Sequence, residues 1–145
     1  MGVELNERQK LLLGEWKLES SENFDEYLKE IGISYLLRKA GSATKPNLEM
    51  SYDGETFHVK VTSTFKNGEW HFKLGEKTKQ KTIDGRDFYV VAELTEDGKI
   101  IEHQSNVEGD KSVPSLITRW VDENGKLIAI CKANNVEGKR VYVRA

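Results

Sequence analysis

The sequence predicts an all-β protein, a ten-stranded antiparallel up-and-down barrel with a helix-turn-helix lid over one end. Three observations predict it. Only one stretch, residues 23–41, carries apolar side chains at helical spacing. The remainder alternates apolar with polar residues in short runs, the pattern of half-buried strands. Those runs are punctuated by Asp53-Gly54, Asn67-Gly68, Asp84-Gly85, Asp97-Gly98, Glu108-Gly109, Asn124-Gly125 and Glu137-Gly138. Asn-Gly and Asp-Gly favour tight hairpins, whose central residues need positive φ. A meander this long has two edges to hide, and closure into a barrel removes them.

In chain order, the first strand starts near Leu13 and runs through Trp16-Lys17-Leu18-Glu19-Ser20 into the helices. Within the lid Phe24, Tyr27, Leu28 and Ile31 stand at i, i+3, i+4 and i+7, and Ile33, Leu36, Leu37 and Ala40 repeat that spacing. Each helix therefore offers one apolar stripe. Asn23 with Glu26 has the form of a capping box, and Gly32 and Gly41 suit C-terminal stops. Helices of about two turns do not stand alone in water, so this pair must lie on the sheet. After Lys45-Pro46 the strands fall at 48–52, 56–64, 69–74, 77–82, 87–94, 99–106, 113–121, 126–133 and 139–144. The first ten residues are polar and carry no evident role, and 107–115 is a long connection containing Pro114.

A chain of 145 residues predicts a single domain, 1–145. Its 22 Lys and Arg against 24 Asp and Glu leave a net charge of −2, with no general pull towards nucleic acid. A lone Cys131 excludes an internal disulfide and fits a reducing compartment. Leu11-Leu12-Leu13 is too short for a signal-peptide core or a membrane span, so a cytoplasmic location is expected. His58, His71 and His103 are scattered, and neither a nucleophile elbow nor metal-ligand spacing is present. No catalytic residue, metal or cofactor is expected, and an enzyme is disfavoured.

The interior is unusual for a core. In Lys77-Thr78-Lys79-Gln80-Lys81-Thr82 the lysines must face water, which turns Thr78, Gln80 and Thr82 inward, while Phe88, Val90, Ala92 and Leu94 share one face of the next strand. Residues 100–106 have no purely apolar face. Unpartnered polar groups are costly in a dry core, so the barrel reads as a container for water and a ligand. Periodicity leaves one alternative, weak edge strands wet on both faces.

These residues resemble the intracellular lipid-binding family, the cytosolic fatty-acid-binding and cellular retinoic-acid-binding proteins. The resemblance lies in Gly14-Glu15-Trp16-Lys17-Leu18 continuing to Asn23-Phe24-Asp25-Glu26-Tyr27-Leu28-Lys29, then in Lys45-Pro46-Asn47, Ser63-Thr64-Phe65-Lys66-Asn67 and Phe72-Lys73-Leu74-Gly75, in the family's order. It implies a monomeric carrier of long-chain fatty acids or similar hydrophobic acids. It also implies a carboxylate anchor: Arg140 and Tyr142 match an Arg-x-Tyr pair of the last strand, and Arg119 is similar in position to a second arginine. Strand periodicity alone would instead bury Val141 and Val143 and leave Arg140 and Tyr142 outside.

Further residues carry over from the same resemblance. Asp84 and Arg86 match an interior polar pair, with a surface turn salt bridge as the alternative. Gln104 matches an inward polar residue, and Glu102, two residues before it, would repel an acid ligand unless paired or protonated. Phe65 matches a portal aromatic, Cys131 a cavity cysteine, and Phe24 and Tyr27 line the lid. Lys29, Arg38 and Lys39 match a basic cluster that in some relatives directs nuclear import of the loaded protein. The same cluster suits transient contact with anionic membranes, and an ordinary solvated helix face is the plain alternative. The expected function is carriage of acids to membranes or other proteins. The alternative is a signalling shuttle that takes a fatty-acid-derived or retinoid ligand to a nuclear receptor.

Overall fold

The computed structural model describes residues 4–107 and 113–145. Helix α1 (Glu7–Lys10) leads into β1 (Gly14–Glu22), and α2 (Phe24–Glu30) and α3 (Tyr35–Ser42) follow. Nine further strands complete the sheet: β2 (Asn47–Tyr52), β3 (Thr56–Thr62), β4 (Gly68–Lys73), β5 (Thr78–Lys81), β6 (Asp87–Leu94), β7 (Ile100–Asn106), β8 (Ser115–Val121), β9 (Leu127–Ala133) and β10 (Val136–Arg144). All pairings are antiparallel, in the order β4-β3-β2-β1-β10-β9-β8-β7-β6-β5. Chain neighbours pair except β4 and β5, which stand at the two ends of the order, and β1 meets β10 to wrap the meander into a barrel.

Closure is completed by side chains. Between β4 and β5, the Gln80 amide accepts from the His71 backbone N–H at 3.0 Å and donates to the His71 carbonyl. The Trp70 indole N–H donates to the Lys81 carbonyl at 2.7 Å. Gln80 thus offers β4 the donor and acceptor that a neighbouring strand would have supplied.

Three turns share one construction. Gly85, Gly98 and Gly125 have φ of +89°, +89° and +76°, and each amide bonds three residues back, to the carbonyl of Thr82, Thr95 or Asp122. The side-chain oxygen of that same residue accepts the N–H four residues on, from Arg86, Lys99 or Lys126. The preceding Asp84, Asp97 and Asn124 keep negative φ, so one glycine per turn supplies the left-handed position rather than an Asx-Gly pair. Two expected turns are displaced: Gly68 opens β4, and Glu137-Gly138 lies inside β10, whose turn is made at Asn134 with φ +52°. Glu108-Gly109 lies outside the described residues.

The dry core sits at the end away from the lid, around Leu12, Trp16, Leu48, Met50, Phe57, Ile100 and Leu127. The N-terminal residues, without a role in the sequence, close this end. Asn6 and Gln9 form a reciprocal capping box with both bonds at 2.9 Å, and their amides reach the Glu96 and Thr95 carbonyls at 3.0 and 2.9 Å. Leu5 and Leu12 are buried beneath them. Arg144, at the end of β10, holds the Leu11 and Leu13 carbonyls at 2.6 Å and stacks 3.9 Å over Trp16.

At the other end α2 lies firmly on β9 and β10. Tyr27 is buried and its hydroxyl bonds Ser115 Oγ. Gly138 permits this approach, since a Cβ there would stand 3.1 Å from the Phe24 Cα. The Asn23 capping box does not form: Asn23 is left-handed, φ +55°, and its amide donates instead to the Glu137 carbonyl at 3.0 Å. The second expected stripe is also corrected. Helix α3 buries no residue and Leu36 is 79% exposed, while Ile33 and Leu37 of the same expected stripe do face the interior.

Candidate functional site

Between the core and the lid lies a cavity of about 800 Å³. That is room for roughly two dozen waters at ~30 Å³ each, or for one long apolar chain. Its mouth is bounded by the helices, the β3–β4 turn at Ser63, Phe65 and Lys66, and the β5–β6 turn at Ile83 and Asp84. Leu18, Leu28, Val61, Phe88, Ile117 and Ala129 supply much of its apolar wall.

Arg140 and Tyr142 both line it. They alternate along β10 with Val141 and Val143, so all four depend on which face turns inward. Tyr142 is buried at 6% exposure, opposite Leu18 on β1 and Leu127 on β9. Periodicity misled here because a polar-lined cavity inverts the usual apolar-inside pattern. Arg140 Nε donates to Ser21 Oγ at 3.2 Å, and its guanidinium lies 4.1 Å from the Phe24 ring and 5.9 Å from that of Tyr142.

Arg119 also lines the cavity, but it is already engaged. Its Nη1 bonds Glu102 Oε2, and the two side chains are 14% and 5% exposed. Gln104 Nε2 donates to Glu102 Oε1 at 3.1 Å. Burial alone would lower the Arg119 pKa, but the Glu102 carboxylate overrides it and holds the guanidinium above its ordinary value. Glu102 is thus inward and paired. Arg119 Nε is buried without a hydrogen-bond partner among the described residues.

Cys131 lines the cavity from β9 and is buried, and that burial raises its thiol to about 11. Burial likewise raises the Tyr27 phenol, so it stays a neutral hydroxyl paired with that of Ser115. Phe65 stands at the mouth, 40% exposed. The Asp84 and Arg86 pair is divided: the carboxylate lines the cavity, whereas Arg86 Nη1 donates to the Ile31 carbonyl at 2.9 Å, at the end of α2. Their ion pair, Nε to Oδ2 at 2.8 Å, spans the β5–β6 turn.

The basic residues of the lid are not equivalent. Lys29 and Lys39 are exposed, the latter 5.5 Å from the Tyr35 ring. Arg38 is tied down: Nε meets Asp25 Oδ1 at 3.1 Å and Nη1 donates to the Ile33 carbonyl at 2.6 Å, leaving its side chain 12% exposed. Among the described residues no group of three or more His, Cys, Asp or Glu is placed to hold a metal, and no helix is long and apolar enough to cross a membrane.

A family model described as the lipocalin/cytosolic fatty-acid binding protein family matches residues 13–144. The chain belongs to that family. It is 44% identical to fatty acid-binding protein homolog 5 of Caenorhabditis elegans over 132 residues, 91% of this chain and 95% of the relative. Its fold is similar to that of apo lipid binding protein 8 of the same organism, with a TM-score of 0.89 and 39% identity over 99% of this chain and 100% of the other. It is also similar to a Schistosoma mansoni fatty acid binding protein in complex with arachidonic acid, with a TM-score of 0.86 and 31% identity over 95% and 98% of the two chains.

In this fatty-acid binding protein family member, three residues escaped the sequence reading. Ser21 and Ser115 take positions beside Arg140 and Tyr27 through pairings that only the folded sheet creates. Trp70, which lines the cavity and bolts β4 to β5, had a sequence signal, an aromatic within the alternating run of β4.

Proposed function

We propose that this chain is a non-catalytic intracellular carrier that reversibly binds a long-chain fatty acid or related hydrophobic acid in its cavity and releases it to membranes or other proteins. The observation that carries this reading is the pair Arg140 and Tyr142 in a cavity of about 800 Å³ whose wall is largely apolar elsewhere but for the Arg119, Glu102 and Gln104 cluster. A guanidinium and a phenol donate to the two oxygens of a carboxylate, and such bonds are strongest where water is excluded. The acyl chain buries its apolar surface along the wall at about 25 cal/mol per Å². Relatives named as fatty acid-binding proteins, one with arachidonic acid, support the ligand class.

The test is displacement of a fluorescent fatty acid by oleate, retinoic acid and an uncharged long-chain alcohol, on wild type and Arg140→Ala. The acids should outcompete the alcohol, and the variant should lose about 1.5 to 3 kcal/mol of acid affinity, the worth of hydrogen bonds to a charged group. Equal competition by acid and alcohol on both proteins would remove the anchor.

For delivery, the exposed Tyr35 and Leu36 beside Lys39 support a brief contact of α3 with an anionic membrane. Nuclear delivery through Lys29, Arg38 and Lys39 would require Arg38 to leave Asp25 when ligand enters. Under that reading Asp25→Asn would raise nuclear accumulation in lipid-loaded cells, and an unchanged distribution would end it.

A further inference from the structure

We infer that Glu102 is the resident counter-ion of the cavity and determines which head groups it accepts: one negative charge at Arg140 and Tyr142, or an uncharged polar group. This rests on the carrier reading above. Of the charged residues lining the cavity, Asp84 is paired with Arg86, Asp25 with Arg38 and Glu19 with Lys126, while Glu102 meets Arg119. Glu102 uses both oxygens within the protein, one on Arg119 and one on Gln104. The Arg119 charge is therefore compensated before any ligand enters, whereas Arg140 meets Ser21 and two aromatic rings but no carboxylate among the described residues.

A ligand carboxylate has two places to go. Displacing Glu102 from Arg119 would leave a carboxylate that is 5% exposed with the Gln104 amide but no cation, a heavy desolvation cost. Binding at Arg140 and Tyr142 disturbs no buried pair. One monoanion then balances Arg140, whereas a dianionic head group brings a second charge that Arg140 does not match. An alcohol loses less than it would in a cavity with two bare arginines, because the Arg119–Glu102 pair is satisfied without it. The unpartnered Arg119 Nε–H remains as a donor suited to a neutral oxygen, such as a hydroxyl or carbonyl.

The experiment is competition by three ligands of one chain length, a monocarboxylic acid, its alcohol and its 1,1-dicarboxylate, on wild type and Glu102→Gln. On wild type the dicarboxylate should compete at least about tenfold more weakly than the monoacid. In Glu102→Gln the freed Arg119 should raise the acid-to-alcohol affinity ratio by about tenfold, the low end for a charge-assisted hydrogen bond. The dicarboxylate should then approach the monoacid. Wild-type binding of the dicarboxylate as tight as the monoacid, or an unchanged ratio in Glu102→Gln, would overturn the assignment while leaving the carrier reading intact. Failure of both monoacid and alcohol to bind wild type would instead bring down the carrier reading, and the assignment with it. The dicarboxylate comparison needs no variant, so it decides even if Glu102→Gln does not fold.

Discussion

Arg140 lies with its guanidinium 4.1 Å from the centre of the Phe24 ring, so this cation of the cavity is roofed by the first residue of the lid helix α2. The contact joins ligand anchor and lid in one structure. Phe24→Leu keeps apolar bulk but removes the ring quadrupole, a loss of about 0.5 to 1 kcal/mol. The expected result is a fatty-acid affinity lowered by about two- to fivefold, mostly through faster release in stopped-flow displacement. An unaltered release rate would show that the ring only fills space.

The lid is fixed at α2 and loose at α3. Tyr27 and Ser115 share a buried hydroxyl pair, and deleting one partner leaves the other unsatisfied. Tyr27→Phe and Ser115→Ala should each cost about 1 to 3 kcal/mol in urea unfolding, and the double variant less than their sum. Strict additivity would mean that the two hydroxyls do not depend on each other.

The strand count, the turn-rich meander and the helix pair were legible because periods of 2 and 3.6 residues and punctuating glycines act locally. The inward set of β10 was not, because the alternation of Arg140, Val141, Tyr142 and Val143 is the same whichever face is wet, and only the cavity decides. Asn23 looked like a cap, yet the Glu137 carbonyl on the neighbouring strand β10 claimed its amide. The pairing of Glu102 with Arg119 lay beyond the sequence for the same reason: seventeen residues separate them, and the β7–β8 register brings them together.

The N-terminal segment is a structural stopper, and Gly98 is the position that reports on it. Gly98 has φ +89°, and a Cβ there would stand 2.9 Å from the Arg8 carbonyl oxygen. Gly98→Ala combines left-handed strain with a backbone clash, for a loss of about 1 to 3 kcal/mol. Chemical unfolding should show the loss, and it should shrink in a variant lacking residues 1–10, where the clash is gone and the φ strain persists. An equal loss in both would place the whole cost in the turn.

Asp53 gives an acid-sensitive hairpin. Its carboxylate accepts from the Thr56 and Glu55 N–H groups at 2.8 and 3.0 Å and meets His58 Nε2 at 3.0 Å, the Thr56 bond contributing most to a pKa lowered to about 2. A depressed carboxylate stabilises the fold above its unfolded value, and that contribution fades as pH falls towards the folded one. Thermal stability of wild type should therefore exceed that of Asp53→Asn at pH 6, and the two should converge between about pH 4 and pH 2. A gap that persists at pH 2 would show that the side chain acts by shape rather than by charge.

Cys131 supplies a probe of cavity occupancy. Burial raises its thiol to about 11, so near neutral pH it carries almost no thiolate, the form that reacts. Alkylation of the native protein by iodoacetamide should be far slower than in urea, and its rate should climb steadily from pH 8 towards 11. The same shift bears on stability. Once pH passes about 9 the unfolded thiol ionises while the buried one stays protonated, so this group favours the unfolded chain increasingly as pH rises from there to 11. Because Cys131 lines the cavity, saturating fatty acid should slow the alkylation further, whereas a ligand held only on the outer surface of the lid would leave the rate unchanged.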